Sequence, residues 1–296
     1  MRCRAPLVLA VLLAAATPAC MPPSWGANAL LHPGRTKLRR QPLRPFEAFE
    51  WQGAGVPLVG WWFHAPEGAR GTLVYLHGVG DNRSSAVGIA EHFVPLGFDV
   101  VAYDSRAHGE SGGDACTYGF YEKQDLARVL DHLTRAPIVV MGTSMGAAVA
   151  LQAAAEDPRI AAVVSISAFS DLRTAASERA PFFASRRNLD DAFHLAETEG
   201  RFRVDEVSPV AAAPRIAAPV LLVHGDADTE TPYAHALRIL AALHGPKQLV
   251  TIPGGGHRGG LTADAWRQVD AWLTHVPGDP RPPAPQPKSV VTSPKY

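Results

Sequence analysis

The chain has 296 residues, of which 47% are hydrophobic, and its 28 basic and 28 acidic side chains give a formal net charge of zero. That is ample for one large core, and the length does not demand a second domain. With no basic block in the middle of the chain and no basic motif interleaved with aromatics, a nucleic-acid partner is not expected.

Met1-Arg2-Cys3-Arg4 supplies positive charge, Leu7 to Ala16 an apolar stretch too short to span a bilayer, and Thr17-Pro18-Ala19 a small-residue exit. Residues 1–19 therefore read as a secretory signal peptide, and the protein is expected to be exported. A cysteine directly after Ala19 resembles a bacterial lipoprotein site, which implies an envelope protein anchored to membrane lipid through Cys20. Thr17 stands where such sites usually carry leucine, so a plain secreted or periplasmic protein stays open beside it. If Cys20 is lipidated, Cys116 is a lone thiol; if not, the two could pair. Residues 20–44 are expected to be a linker. Its basic stretch Arg35 to Arg40 reads as solvated, or as touching anionic lipid.

Strands and helices then alternate. Thr72–Leu76 reads as a strand, followed by His77-Gly78-Val79-Gly80. Phe98–Tyr103 is a second strand, followed by Asp104-Ser105-Arg106-Ala107-His108-Gly109-Glu110-Ser111. Leu126, Val129, Leu130 and Leu133 recur at helical spacing and predict a core-facing helix over 120–134. Pro137–Met141 is a short β-branched run bounded by proline, hence a buried strand. Met145 to Glu156 is rich in alanine and stops at Asp157-Pro158, hence a helix. Residues 168–213 hold five phenylalanines among many charges. They read either as a small helical cap insertion or as a decorated connection with aromatics packed on the body. Pro219–Gly225 and Gln248–Pro253 are further strands, and Trp266, Val269, Trp272 and Leu273 mark a closing helix. Residues 277–296 carry seven prolines and are expected to form a disordered tail. The alternation predicts an α/β fold, with a mostly parallel central sheet and helices on both faces.

Between the Pro137 strand and the Met145 helix lies Gly142-Thr143-Ser144-Met145-Gly146. A serine on a strand-to-helix turn is held exposed on a strained backbone, and the flanking glycines leave that turn uncrowded. A serine hydroxyl becomes nucleophilic only when a base takes its proton, and the base needs a carboxylate to hold its tautomer. Downstream come His224-Gly225-Asp226-Ala227-Asp228-Thr229-Glu230-Thr231-Pro232 and then Gly254-Gly255-Gly256-His257.

This layout resembles the α/β-hydrolase superfamily over residues 45–275, closest to its serine-aminopeptidase-like and monoacylglycerol-lipase-like branch. The resemblance implies a hydrolase domain over 45–276. Ser144 would be the nucleophile, Asp228 the acid by similarity to H-G-x-x-D-x-x-x-P, and His257 the base. Asp226 and Asp171 are the rival acids. The oxyanion donors would be the backbone N–H groups of Met145 and Val79. Asp104 to Ser111 is similar to the family's D-x-R-G-H-G-x-S loop, with Ala107 replacing a glycine. Asp104, Arg106 and His108 would then form a scaffold network with Asp104 and Arg106 as an ion pair, and His77 would brace the oxyanion loop. The implied activity is that of a serine hydrolase acting on a small-molecule or acyl substrate through a covalent acyl-enzyme. A lipid or acyl ester ranks first and a peptide amide second, with no cofactor and no metal. A non-catalytic binding protein on the same scaffold is the alternative. A dehalogenase-like or epoxide-hydrolase-like reading would need an aspartate at 144.

Overall fold

In a computed structural model, residues 22–66 and 69–276 are described. The expected signal peptide, Cys20 and the proline-rich tail lie outside these residues. The described residues form an eight-stranded sheet: β1 (Glu47–Gln52), β2 (Pro57–Phe63), β3 (Gly71–Leu76), β4 (Phe98–Tyr103), β5 (Ile138–Thr143), β6 (Ile160–Ile166), β7 (Val220–Gly225) and β8 (Lys247–Ile252). Their order is β1-β2-β4-β3-β5-β6-β7-β8. Strand β2 runs antiparallel to β1 and β4, and all other neighbours are parallel.

Strands β3, β4 and β7 are buried along their whole length. Each side of the sheet is covered, so both alternating sets of side chains must be apolar, and the strands read as continuous Val, Leu and aromatic runs. Leu73, Val139, Met141, Leu221 and Val223 face one core, together with Phe93 of α2 (Val87–Phe93) and Val269 of α9 (Ala263–Leu273). Val74, Leu76, Val140, Val220 and Leu222 face the other. There they meet α3 (Glu122–Leu130), α4 (Met145–Ala154) and α8 (Ala234–Ala242). Each such side chain contributes about 1.5–3 kcal/mol by leaving water.

Residues 168–213 hold α5 (Leu172–Glu178), α6 (Arg186–Gly200) and the short α7 (Pro209–Ala212). Phe169, Phe193 and Phe202 are buried there, whereas Phe182 and Phe183 are exposed. The segment before β1, expected as a linker, is docked through α1 (Pro23–Leu31) and residues 35–39, whereas Leu43 is exposed. Helix α1 lies against α6: a Cβ on Gly26 would stand 3.0 Å from that of Ala192, and one on Gly200 would stand 2.8 Å from Leu31. Leu31 is fully buried. Among the described residues no helix is long and apolar enough to cross a membrane.

Candidate active site

The turn after β5 lifts Ser144 into a backbone conformation of φ 53° and ψ −115°. A non-glycine residue pays about 1–3 kcal/mol for such geometry and keeps it only where its surroundings enforce it. Here the Ser144 N–H donates to Ile166 O at 2.8 Å, and the Ala148 N–H donates to Ser144 O at 3.1 Å. The flanking glycines are required by proximity. A Cβ on Gly146 would lie 2.2 Å from Leu76 O, and one on Gly142 would lie 2.3 Å from the Gly146 backbone. Helix α4 can therefore start directly against β3 only because neither position has a side chain.

Three loops at the carboxyl ends of the strands converge on this serine. His257 Nε2 lies 3.0 Å from Ser144 Oγ, and its Nδ1 lies 2.8 Å from Asp228 Oδ2. A carboxylate only accepts, so Nδ1–H donates to Asp228, and in the neutral ring Nε2 is left as the acceptor for the serine proton. Asp228 Oδ1 accepts from the N–H groups of Glu230 (2.9 Å) and Thr231 (2.8 Å). These two donors fix which oxygen faces the histidine. The Asp228 carboxyl is fully buried, and the His257 ring is 10% exposed.

The rival acids do other work. Asp226 Oδ1 accepts from Gly254 N–H at 2.6 Å, tying the loop after β7 to the one that carries His257. Asp171 caps α5 by accepting from Thr174 N–H.

The loop after β3 borders the serine: a Cβ on Gly78 would stand 3.5 Å from Ser144 Cβ. His77 holds this loop. Its Nδ1–H donates to Gly78 O at 2.8 Å, and its Nε2 accepts from Ser105 N–H at 2.9 Å. Burial depresses its pKa, which suits a ring that must stay neutral to accept at Nε2. In a trans peptide the C=O and the following N–H point opposite ways. Pinning Gly78 O thus also orients the Val79 N–H. Met145 is the first residue of α4, where no carbonyl one turn earlier is available to its N–H.

The ion pairs around Asp104 differ from the expected arrangement. Asp104 pairs with Arg83, which also reaches Glu110, while Arg106 makes a two-pronged pair with Asp125 on α3. Both pairs are buried and both tie loops to the body. Ala107 adopts φ 60° despite its side chain. His108 donates from Nδ1 to Arg106 O at 2.8 Å and leaves Nε2 without a partner, and burial lowers its pKa to about 3. It is a scaffold residue, away from the Ser144–His257–Asp228 chain of hydrogen bonds.

His224, already part of the H-G-x-x-D-x-x-x-P stretch, supports this chain, and Arg179 does so with no sequence signal of its own. His224 Nε2–H donates to Thr231 O at 2.8 Å, beneath Asp228. Arg179, at the end of α5, donates to Glu230 O (2.7 Å) and Thr231 Oγ1 (2.8 Å). The Cys116 thiol lies 3.4 Å from Met145 Sδ and is fully buried, where the thiolate is disfavoured. Among the described residues no cluster of His, Cys, Asp or Glu side chains could hold a metal ion.

An eight-stranded sheet with antiparallel β2, and a serine raised on the turn between β5 and α4, defines the α/β-hydrolase class of fold. Residues 71–211 match the family model described as alpha/beta hydrolase fold, and residues 198–276 match that of TAP-like protein. The uncharacterized protein YqkD of Bacillus subtilis is 34% identical over 203 residues, covering 65% of this chain and 67% of its own. The uncharacterized protein Rv2307c of Mycobacterium tuberculosis is 30% identical over 222 residues, covering 73% and 74%. The esterase Pf2001 of Pyrococcus furiosus superposes with a TM-score of 0.67 at 23% identity, over 83% of this chain and 99% of that one. The chain belongs to the α/β-hydrolase fold family.

Proposed function

We propose that the protein is a serine hydrolase that cleaves an ester, thioester or amide bond through a covalent acyl-enzyme. The observation that carries this reading is the continuous hydrogen-bonded chain from Asp228 through His257 to Ser144 Oγ, ending on a strained turn. Ser144 Oγ attacks the substrate carbonyl carbon while its proton passes to His257 Nε2. The developing oxyanion is held by the N–H groups of Met145 and Val79, which need no reorganisation as charge appears. The tetrahedral intermediate collapses, and the leaving alcohol, thiol or amine takes the proton from His257. A water, deprotonated by His257, then attacks the acyl carbon, and Ser144 regains its proton. Throughout, Asp228 holds the tautomer and stabilises the imidazolium.

An acyl ester is the substrate class we place first and a peptide amide second. The ground for this order is that an esterase superposes with a TM-score of 0.67 and an acylaminoacyl peptidase from Pyrococcus horikoshii with 0.60. The test is hydrolysis of p-nitrophenyl esters of increasing acyl length beside aminoacyl p-nitroanilides. Ester turnover that exceeds anilide turnover and is abolished by Ser144→Ala supports the reading. Preferential anilide turnover would make the protein a peptidase. No turnover of either by folded protein would shift the weight to a binding role.

A further inference from the structure

The segment before β1 does more than connect. Arg35 donates from one guanidinium nitrogen to His108 O (3.2 Å), Gly109 O (3.0 Å) and Ser111 O (2.6 Å), and from the other to Gly113 O (2.8 Å). One side chain thereby gathers four carbonyls of the loop after β4. The next residue reaches the loop after β3. Thr36 Oγ1–H donates to Gly80 O at 3.3 Å. The fully buried Asn82 donates from Nδ2 to Thr36 Oγ1 (3.0 Å), Thr36 O (3.0 Å) and Lys37 O (3.1 Å). Arg39 N–H adds a bond to Ser84 Oγ at 3.2 Å.

These contacts bear on one short turn. Val79 lies between Gly78 and Gly80. The Gly78 carbonyl is pinned by His77, which itself leans on Ser105 in the loop after β4. The Gly80 carbonyl is pinned by Thr36. Glycines on both sides of Val79 give this stretch wide conformational freedom, and Gly80 adopts φ 70°. The Val79 N–H shares a peptide plane with the Gly78 carbonyl, and holding the Gly80 carbonyl, two peptide groups further on, limits how far the glycine-flanked turn can rotate. The chain's own body supplies the first restraint, and the segment at 35–37 supplies the second.

We propose that residues 35–37 form an arm that positions the Val79 N–H for oxyanion binding, with Arg35 and Thr36 as positioning residues. This rests on the serine-hydrolase reading above. Neither residue touches substrate. They act through the loops after β3 and β4, so their removal weakens an interaction made in the transition state and leaves ground-state binding intact. Loss of a whole oxyanion donor costs about 10²–10³ in kcat, and a donor that is loosened costs a fraction of that, about tenfold.

The test uses residues 20–296 with an ester substrate, with active sites titrated by a fluorophosphonate so that misfolded molecules do not count. Thr36→Val keeps the shape and deletes the hydroxyl; Thr36→Ser keeps the hydroxyl. Expected is a kcat per titrated site about tenfold lower for Thr36→Val and for Arg35→Ala, with KM within about twofold, and recovery of most of kcat in Thr36→Ser. Unaltered kcat per site in both Thr36→Val and Arg35→Ala would overturn the arm's role, as would equal loss in Thr36→Ser and Thr36→Val. A wild-type protein that neither turns over ester nor takes up the probe would instead overturn the serine-hydrolase reading, and the arm proposal with it.

Discussion

Replacing Asp228 by asparagine tests the proton relay with almost no change in shape. The carboxyl oxygen Oδ1 accepts two backbone N–H groups, from Glu230 and Thr231, at 2.9 and 2.8 Å. An asparagine must therefore place its carbonyl oxygen there, because the reverse orientation would set NH₂ against two donors and leave them unsatisfied at about 1–3 kcal/mol each. Its NH₂ then faces His257 Nδ1 at the position where Oδ2 stands 2.8 Å away. A donor there selects the tautomer with the proton on Nε2, and Ser144 Oγ meets a donor where it needs an acceptor. The same exchange in a trypsin-type site costs about 10⁴ in kcat, equivalent to about 5 kcal/mol of barrier. Steady-state ester hydrolysis by Asp228→Asn should fall by that order, with a melting temperature within a few degrees of wild type. Activity within tenfold of wild type in a folded Asp228→Asn protein would refute the relay.

Four further outcomes follow from particular contacts. Gly146→Ala brings a Cβ to 2.2 Å from Leu76 O, a backbone atom that cannot swing away. This variant should lose at least about 1–3 kcal/mol in urea unfolding and most of its hydrolytic activity. His108, buried with a pKa near 3, binds no proton in the folded state while the unfolded ring titrates near 6.5. Its contribution to stability is therefore present above pH 6.5 and lost as pH falls toward 3, at up to about 1.4 kcal/mol per pH unit. His77, His224 and His235 are shifted the same way by burial and steepen the loss, and His108→Asn should flatten the curve of unfolding free energy against pH. Asp125→Ala strips Arg106 of its buried two-pronged partner, and breaking such a pair costs about 3–5 kcal/mol, readable as a lower urea midpoint. The lipid anchor proposed at Cys20 is checked by intact mass of the mature chain from an envelope fraction. A diacylglyceryl adduct on Cys20 supports it, and an unmodified chain starting elsewhere contradicts it.

The sequence carried β3, β4, β5 and β7 and the residues that meet at Ser144 because both have local signatures. Strands buried on two faces are continuous apolar runs, and the G-x-S-x-G and H-G-x-x-D-x-x-x-P stretches hold their chemistry within a few residues. What stayed hidden depends on partners far away in the chain. Helix α1 is short and finds its neighbour α6 about 160 residues later, so nothing nearby distinguishes it from a linker. Arg35 looks like any basic residue in a solvated stretch until its four carbonyl partners come into place. Asp104 and Arg106 are two residues apart in sequence, but each is claimed by a partner from another element, Arg83 and Asp125. Strand β1 is an edge element with exposed positions, and in its neighbour β2 Gly60 and Pro57 blur the alternation. The turn glycine Gly55, at φ 85° between them, was the signal that could have found this hairpin.

The central claim is that Ser144 is an activated nucleophile. The most direct measurement is fluorophosphonate labelling of residues 20–296, wild type beside Ser144→Ala, read by intact mass. A single adduct on wild type and none on the variant is the predicted result. A folded wild-type protein that takes up no probe, or a Ser144→Ala protein labelled as readily as wild type, would contradict it.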